Sequence, residues 1–168
     1  MEHRRSIMAL GDKYLNFVLM DEEYCIEITQ VREIMALPQI TPLPQTPDFI
    51  QGVINLRGNI IPIIDLKKRF ELPGGVYGER TCVIVVEVAF GETDMLMGLV
   101  VDETKEVVAI PAEQISELAY IKARIKSQYI NGVADFGTHV KIILDIQKMF
   151  SEEEFTLLGS VEYEGETP

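Results

Sequence analysis

Basic residues are scarce: 15 Lys and Arg stand against 27 Asp and Glu in 168 residues, a net charge of −12. That excess repels phosphate backbones and anionic lipid, so neither nucleic acid nor direct membrane binding is expected. Cysteine is almost absent. Cys25 and Cys82 lie far apart and outside any C-x-x-C pattern, which fits reduced core residues of a cytoplasmic protein, although the sequence leaves a bridge between them open. No uncharged apolar stretch reaches the ~18 residues of a transmembrane helix, and the apolar run after His3-Arg4-Arg5 is too brief for a signal peptide. Cys, His and carboxylate side chains do not cluster at ligand spacing, and Gly74-Gly75 lacks the Lys and Ser/Thr of a phosphate loop, so no metal or cofactor is expected.

What remains is a β-rich pattern. Leu15, Phe17 and Leu19 alternate, Asp21-Glu22-Glu23 reads as a polar turn, and Tyr24, Ile26 and Ile28 alternate again, which predicts a hairpin. Pro38, Pro42, Pro44 and Pro47 forbid a regular helix over Ile34 to Pro47 and predict an extended, irregular connector. Val53 to Arg57 and Ile60 to Leu66 flank Gly58-Asn59, a two-residue turn signal. Thr81 to Ala89, Met95 to Val101, Glu106 to Ile110, Tyr129 to Asp135 and Val140 to Ile146 complete the strands, with one helical turn over Lys67 to Phe70. Ser151 with Glu154 forms a capping box that starts a short helix carrying Phe155, Leu157 and Leu158, followed by an acidic, frayed end. Short turns and little helix favour closed β-barrels over a parallel sheet.

The chain also repeats itself. The segment 52–70 matches 132–150, eighty residues on and without a gap, through the identical pairs Gly52/Gly132, Val53/Val133, Ile63/Ile143, Asp65/Asp145, Lys68/Lys148 and Phe70/Phe150. A weaker echo relates Ile26–Ile34 to Leu99–Val107 and includes Glu33/Glu106. Two copies of one unit imply two similar small barrels side by side. The expected organisation is one domain over 12–150, with approximate halves 12–80 and 81–150, then a helix and acidic tail over 151–168.

Candidates for catalysis have plainer readings. Asp65 and Asp145 end equivalent strands, where each caps the free N–H groups of the following turn. Cys25 lies in an apolar strand and His139 in a loop, a poor basis for a thiol–imidazole dyad. Arg57 stands out, because it interrupts an apolar segment and Gly137 replaces it in the second copy. Either its stem packs on the barrel while its head reaches water, or its guanidinium pairs with a carboxylate, Glu33 or one on a partner. Val31, Ile34, Met35, Leu37, Ile40 and Leu43 are many apolar groups for a proline-broken segment; most are expected to pack inward, and any that do not would mark an interaction site.

Gly52-Val53-Ile54-Asn55-Leu56-Arg57-Gly58, followed by Ile61-Pro62-Ile63-Ile64-Asp65-Leu66, closely resembles the signature of the CheW-like family of chemotaxis coupling proteins. Phe17 to Ile34, Gly98-Leu99-Val100-Val101-Asp102 and Ile142-Ile143-Leu144-Asp145-Ile146 extend the resemblance from about Tyr14 to Phe150. It implies a mainly β fold, two SH3-like five-stranded β-barrels packed side by side with a short C-terminal helix. The family's kinase and multidomain members carry further domains for which this chain has no room, so a stand-alone coupling protein is expected. The implied role is non-catalytic: linking the cytoplasmic tip of chemoreceptors to the regulatory domain of the histidine kinase CheA, in the cytoplasm and recruited to membrane-bound receptor arrays. An adaptor of a non-flagellar pathway, twitching or gliding, is the alternative. Matching positions place Ile28, Val31, Glu33 and Ile34 along a receptor groove, Arg57 beside it and Thr104 on its opposite wall; the kinase contact is expected at the end of a barrel through apolar loop residues, for which Leu37, Ile40 and Leu43 are the candidates.

Overall fold

The computed structural model describes residues 12–73, 75–116 and 126–166; the basic patch at the start, Gly74 and the last two residues lie outside them. Among the described residues eleven strands form two sheets. The strands are β1 (Lys13–Leu19), β2 (Glu22–Glu27), β3 (Val31–Ala36), β4 (Ile50–Leu56), β5 (Asn59–Asp65), β6 (Cys82–Phe90), β7 (Thr93–Val101), β8 (Glu103–Ala109), β9 (Ile115–Ser116), β10 (Ile130–Asp135) and β11 (Val140–Leu144). Helix α1 (Leu66–Arg69) is one turn, and α2 (Glu152–Glu166) closes the chain.

The sheet orders reveal how the repeat is used. One sheet runs β3-β6-β7-β5-β4 and the other β8-β1-β2-β11-β10, with β9 added at the end. The same plan underlies both: hairpin β4–β5 corresponds to β10–β11, hairpin β6–β7 to β1–β2, and edge strand β3 to β8. Even the parallel pairs correspond, β5 with β7 and β11 with β2. Each half of the sequence is therefore one copy of the unit, but the halves 12–80 and 81–150 are not the two sheets. Strands β1–β2 of the first half join β8–β11, while β3–β5 join β6–β7 of the second. The crossing follows from the short links after β2 and β7, which send the next strand to the edge of the other sheet.

Both barrels close the same way. Beyond β3, Thr41 exchanges two hydrogen bonds of 2.9 Å with Val53 on β4. Beyond β8, Ser116 pairs with Val133, the residue equivalent to Val53. The identical Gly52/Gly132 pair explains itself here. Each sits at a register shift, where the closing segment approaches the backbone. A Cβ on Gly52, whose φ is +145°, would lie 2.1 Å from the Thr41 carbonyl oxygen, and one on Gly132 would lie 2.6 Å from the Ile115 Cγ2.

The inner strands β1, β2, β5, β6, β7 and β11 bury residues on both faces because each lies between two cores. The larger core fills the space between the sheets, with Phe17, Leu19, Tyr24 and Ile26 on one side and Ile84, Val86, Met97 and Leu99 on the other. Ile54, Ile61, Ile63, Val83, Val85 and Val100 fill the interior of one barrel; Tyr14, Cys25, Ala134 and Ile143 fill the other. Arg69 ties the copies together. Its guanidinium lies 4.9–5.5 Å from the rings of Phe49, Tyr129 and Phe150, donates to the Met149 carbonyl at 2.6 Å, and meets the Glu154 carboxylate at 3.0 and 3.3 Å. Glu154 also completes the expected capping box: its carboxylate accepts from the Ser151 N–H at 2.8 Å and its N–H donates to Ser151 Oγ at 3.1 Å.

Three details differ from the sequence reading. The proline-rich connector begins as a strand, because β3 needs extended backbone only up to Ala36, before Pro38. The turn of β4–β5 is Arg57-Gly58 rather than Gly58-Asn59, since Leu56 pairs with Asn59 and φ is +51° at Arg57 and +92° at Gly58. The first hairpin likewise turns at Met20-Asp21, with φ of +51° and +67°. Both turns need positive φ at two positions, as the right-handed twist of the flanking strands demands. Both cysteines are free and buried.

Gly52→Ala should cost about 3 kcal/mol or more, because clash and backbone strain fall on fixed main chain. Gly132→Ala should cost about 1 kcal/mol, because the Ile115 side chain can give way. Urea denaturation of the two variants checks this order.

Candidate partner-binding site

Strand β3 is an edge strand, and its two faces serve different environments. Val31 and Ile34 pair with Val86 and Ile84, which belong to the core between the sheets. A register shift between Val31 and Glu33 then turns Glu33 to the face of Val85, inside the barrel. Glu33 thus stands at the barrel mouth, where it forms an ion pair with Arg57 at the tip of β4–β5. The partnership holds the guanidinium pKa above its usual value, first through the hydrogen bond and then through the charge. Arg57 occupies a left-handed backbone position, disfavoured for any residue with a Cβ, where the second copy has Gly137 at φ +86°. Asn55 braces the turn by accepting from the Gly58 N–H at 2.8 Å. Beneath lies an open cavity of about 340 Å³ floored by Leu56, Val85 and Leu96. On its rim Arg32 pairs with Glu87 at 2.5 Å.

The structure separates the predicted receptor residues into two sets. Ile28 and Val31 are half-buried against the central core, and Ile34, 45% exposed, follows them on the same side of β3. Glu33 and Arg57 project from the other side. Thr104 sits at the start of β8, the edge strand of the opposite sheet, and accepts from the Cys82 thiol at 3.8 Å. Cys82 in turn pairs with Ala36 at the end of β3, so the two edge strands meet around it. Leu37 and Ile40 are half-buried against the barrel interior and Leu43 is half-buried in the connector. Most of the apolar groups over 31–43 pack inward, and Ile34 is the exposed one.

Two charged clusters escaped the sequence reading. Lys141 replaces Ile61 of the first copy and lies 3.6 Å from Glu23, 4.0 Å from Glu106 and 5.1 Å from the centre of the Phe136 ring. Asn16 donates to Glu23 at 2.5 Å and, ahead of the Lys141 charge, lowers its pKa. A lysine inside the apolar run Val140–Leu144 was the available signal. The second cluster is the ion pair of Lys67 with Asp102 at 2.7 Å, the lysine side chain only 8% exposed.

The candidates for chemistry have structural occupations. Asp65 Oδ1 accepts from the N–H groups of Lys67 and Lys68 at 2.9 and 3.2 Å, while Tyr77 donates to its other oxygen. Asp145 Oδ1 accepts from the Gln147 N–H at 3.0 Å. Burial pushes the Cys25 thiol up to about 12, far from the thiolate a nucleophile requires. His139 stacks on Phe136 and lies 3.7 Å from Glu23.

Comparison with known proteins agrees with this arrangement. The profile of the CheW-like domain matches residues 13–154. A protein named chemotaxis protein CheW from Klebsiella aerogenes is 41% identical over 153 residues, 91% of this chain and 90% of its own length. One of the same name from Treponema pallidum is 34% identical over 164 residues, 96% of each. The crystal structure of the scaffolding protein TtCheW from Thermoanaerobacter tengcongensis superposes with a TM-score of 0.75 at 35% identity, covering 84% of this chain and 93% of that one. With its signature residues on the β4–β5 hairpin and two barrels of one plan, the chain belongs to the CheW-like domain family.

Proposed function

We propose that this protein is a non-catalytic scaffold that couples methyl-accepting chemoreceptors to the histidine kinase CheA within receptor arrays. The observation that carries the reading is the Arg57–Glu33 pair. It is held on an exposed turn at unfavourable φ, beside an edge strand that presents Ile34, and the second copy of the same unit does without the arginine. Backbone strain retained at an exposed charge is more readily explained by a partner than by folding. In this reading an α-helix of the receptor tip lies against Ile28, Val31 and Ile34, with Thr104 on the opposite wall, the helix-in-groove mode of recognition. Arg57 and Glu33 set its register more than its affinity. The half-exposed side chains of Leu37, Ile40 and Leu43, at the end of the same barrel, supply the kinase contact. Individual links need only be micromolar, about −8 kcal/mol, because an array multiplies weak contacts. The signal passes as a bias on the kinase's conformational equilibrium. The alternative, a non-flagellar pathway, is less favoured, since relatives matched over nine-tenths of the chain carry the chemotaxis name.

Calorimetric titration of the purified protein into the CheA regulatory domain of the same organism should give saturable one-to-one binding. No heat at tens of micromolar would leave the family assignment and remove the kinase half of the reading. Two substitutions at position 57 should part stability from function. Arg57→Gly should raise the melting temperature by relieving the positive φ, and Arg57→Ala should lower it slightly. Both should weaken receptor binding and impair signalling. A melting loss in both variants as large as that of a core truncation would make Arg57 structural.

A further inference from the structure

The chain crosses between the sheets twice, after β2 and after β7, and the two crossings differ in one respect. By the parallel pairing of β5 with β7 and of β11 with β2, Leu99 corresponds to Ile26, so Asp102 corresponds to Thr29, and by the eighty-residue repeat Lys67 corresponds to Gln147. At the crossing after β7, Asp102 is held from both sides. Its Oδ1 meets Lys67 Nζ of α1, on the five-stranded sheet, at 2.7 Å. Its Oδ2 accepts from the Met20 N–H of the β1–β2 turn, on the other sheet, at 2.9 Å, and its own N–H donates to the Val18 carbonyl at 3.1 Å. At the crossing after β2 both members are neutral, and Gln147 donates instead to the Ala89 carbonyl at 2.7 Å. The fold therefore makes this crossing without an ion pair. Burying such a pair gives little net stability against well-packed neutral groups, but it fixes geometry.

The geometry it fixes belongs to the candidate receptor site. Asp102 immediately precedes β8, and two residues later Thr104 touches Cys82, which pairs with Ala36 at the end of β3. We propose that the Lys67–Asp102 pair is a positioning device that sets β8 against β3, and with it receptor affinity, without touching the receptor. This inference rests on the receptor reading given above.

The test transplants the neutral pair of the other crossing. The full-length K67Q/D102T variant and wild type are titrated calorimetrically with a receptor-tip helical hairpin and, separately, with the CheA regulatory domain. The variant should fold, bind the hairpin about tenfold more weakly and bind the kinase domain as wild type does. Lys67→Arg, which keeps the charge pair, should bind the hairpin like wild type. Should the double variant not fold, Asp102→Asn, which keeps an acceptor for the Met20 N–H, should show the same receptor-specific loss. Unchanged hairpin affinity, or an equal loss towards both partners, overturns the proposal alone. Failure of wild type to bind the hairpin overturns the receptor reading and the proposal with it.

Discussion

Neither sheet can be completed by its own half of the chain, because the strand after each opening hairpin crosses over to edge the other sheet. The exchange obliges the two barrels to form together. It brings two five-stranded faces close enough for Phe17, Tyr24, Ile84 and Met97 to fill one shared core. It also brings the two edge strands, β3 and β8, together around Cys82. Arg69 seals the arrangement from behind, one guanidinium shared among aromatic rings of both copies and the cap of the last helix.

A duplicated fold offers its own control experiment. Whatever both copies keep serves the architecture: the glycine at the register shift, the aspartate cap, the closing bridge. What one copy alone carries answers to something else. Arg57 on its strained turn and the Lys67–Asp102 pair both fall in that second group, and both flank the edge strands. Lys141 and Asn16 show the opposite difference, a barrel interior made polar where its twin is apolar.

The repeat, the hairpins, the caps and the pairing candidate for Arg57 were legible because each rests on local spacing or identity. The exchange of strands was not, since periodicity names strands without naming their neighbours. Strand β3 was hidden by the prolines that follow it, although Val31 to Ala36 contains none. The turn at Arg57 was misplaced by one residue because turn rules favour Gly and Asn at positive φ, and Gly58-Asn59 supplied both. That Glu33 and Ile34 lie on opposite faces of one strand depends on a register shift that no pattern announces.

The exchanged topology also has a consequence on the ribosome. The hairpin β1–β2, residues 13–27, emerges early, yet its partner strands β8 and β11 lie at 103–109 and 140–144. At translation speeds of about 5–20 residues per second, that hairpin waits on the order of ten seconds with Phe17, Tyr24 and Ile26 uncovered. Synonymous codons that slow synthesis between residues 30 and 100 would lengthen the time that this apolar surface waits for its partners.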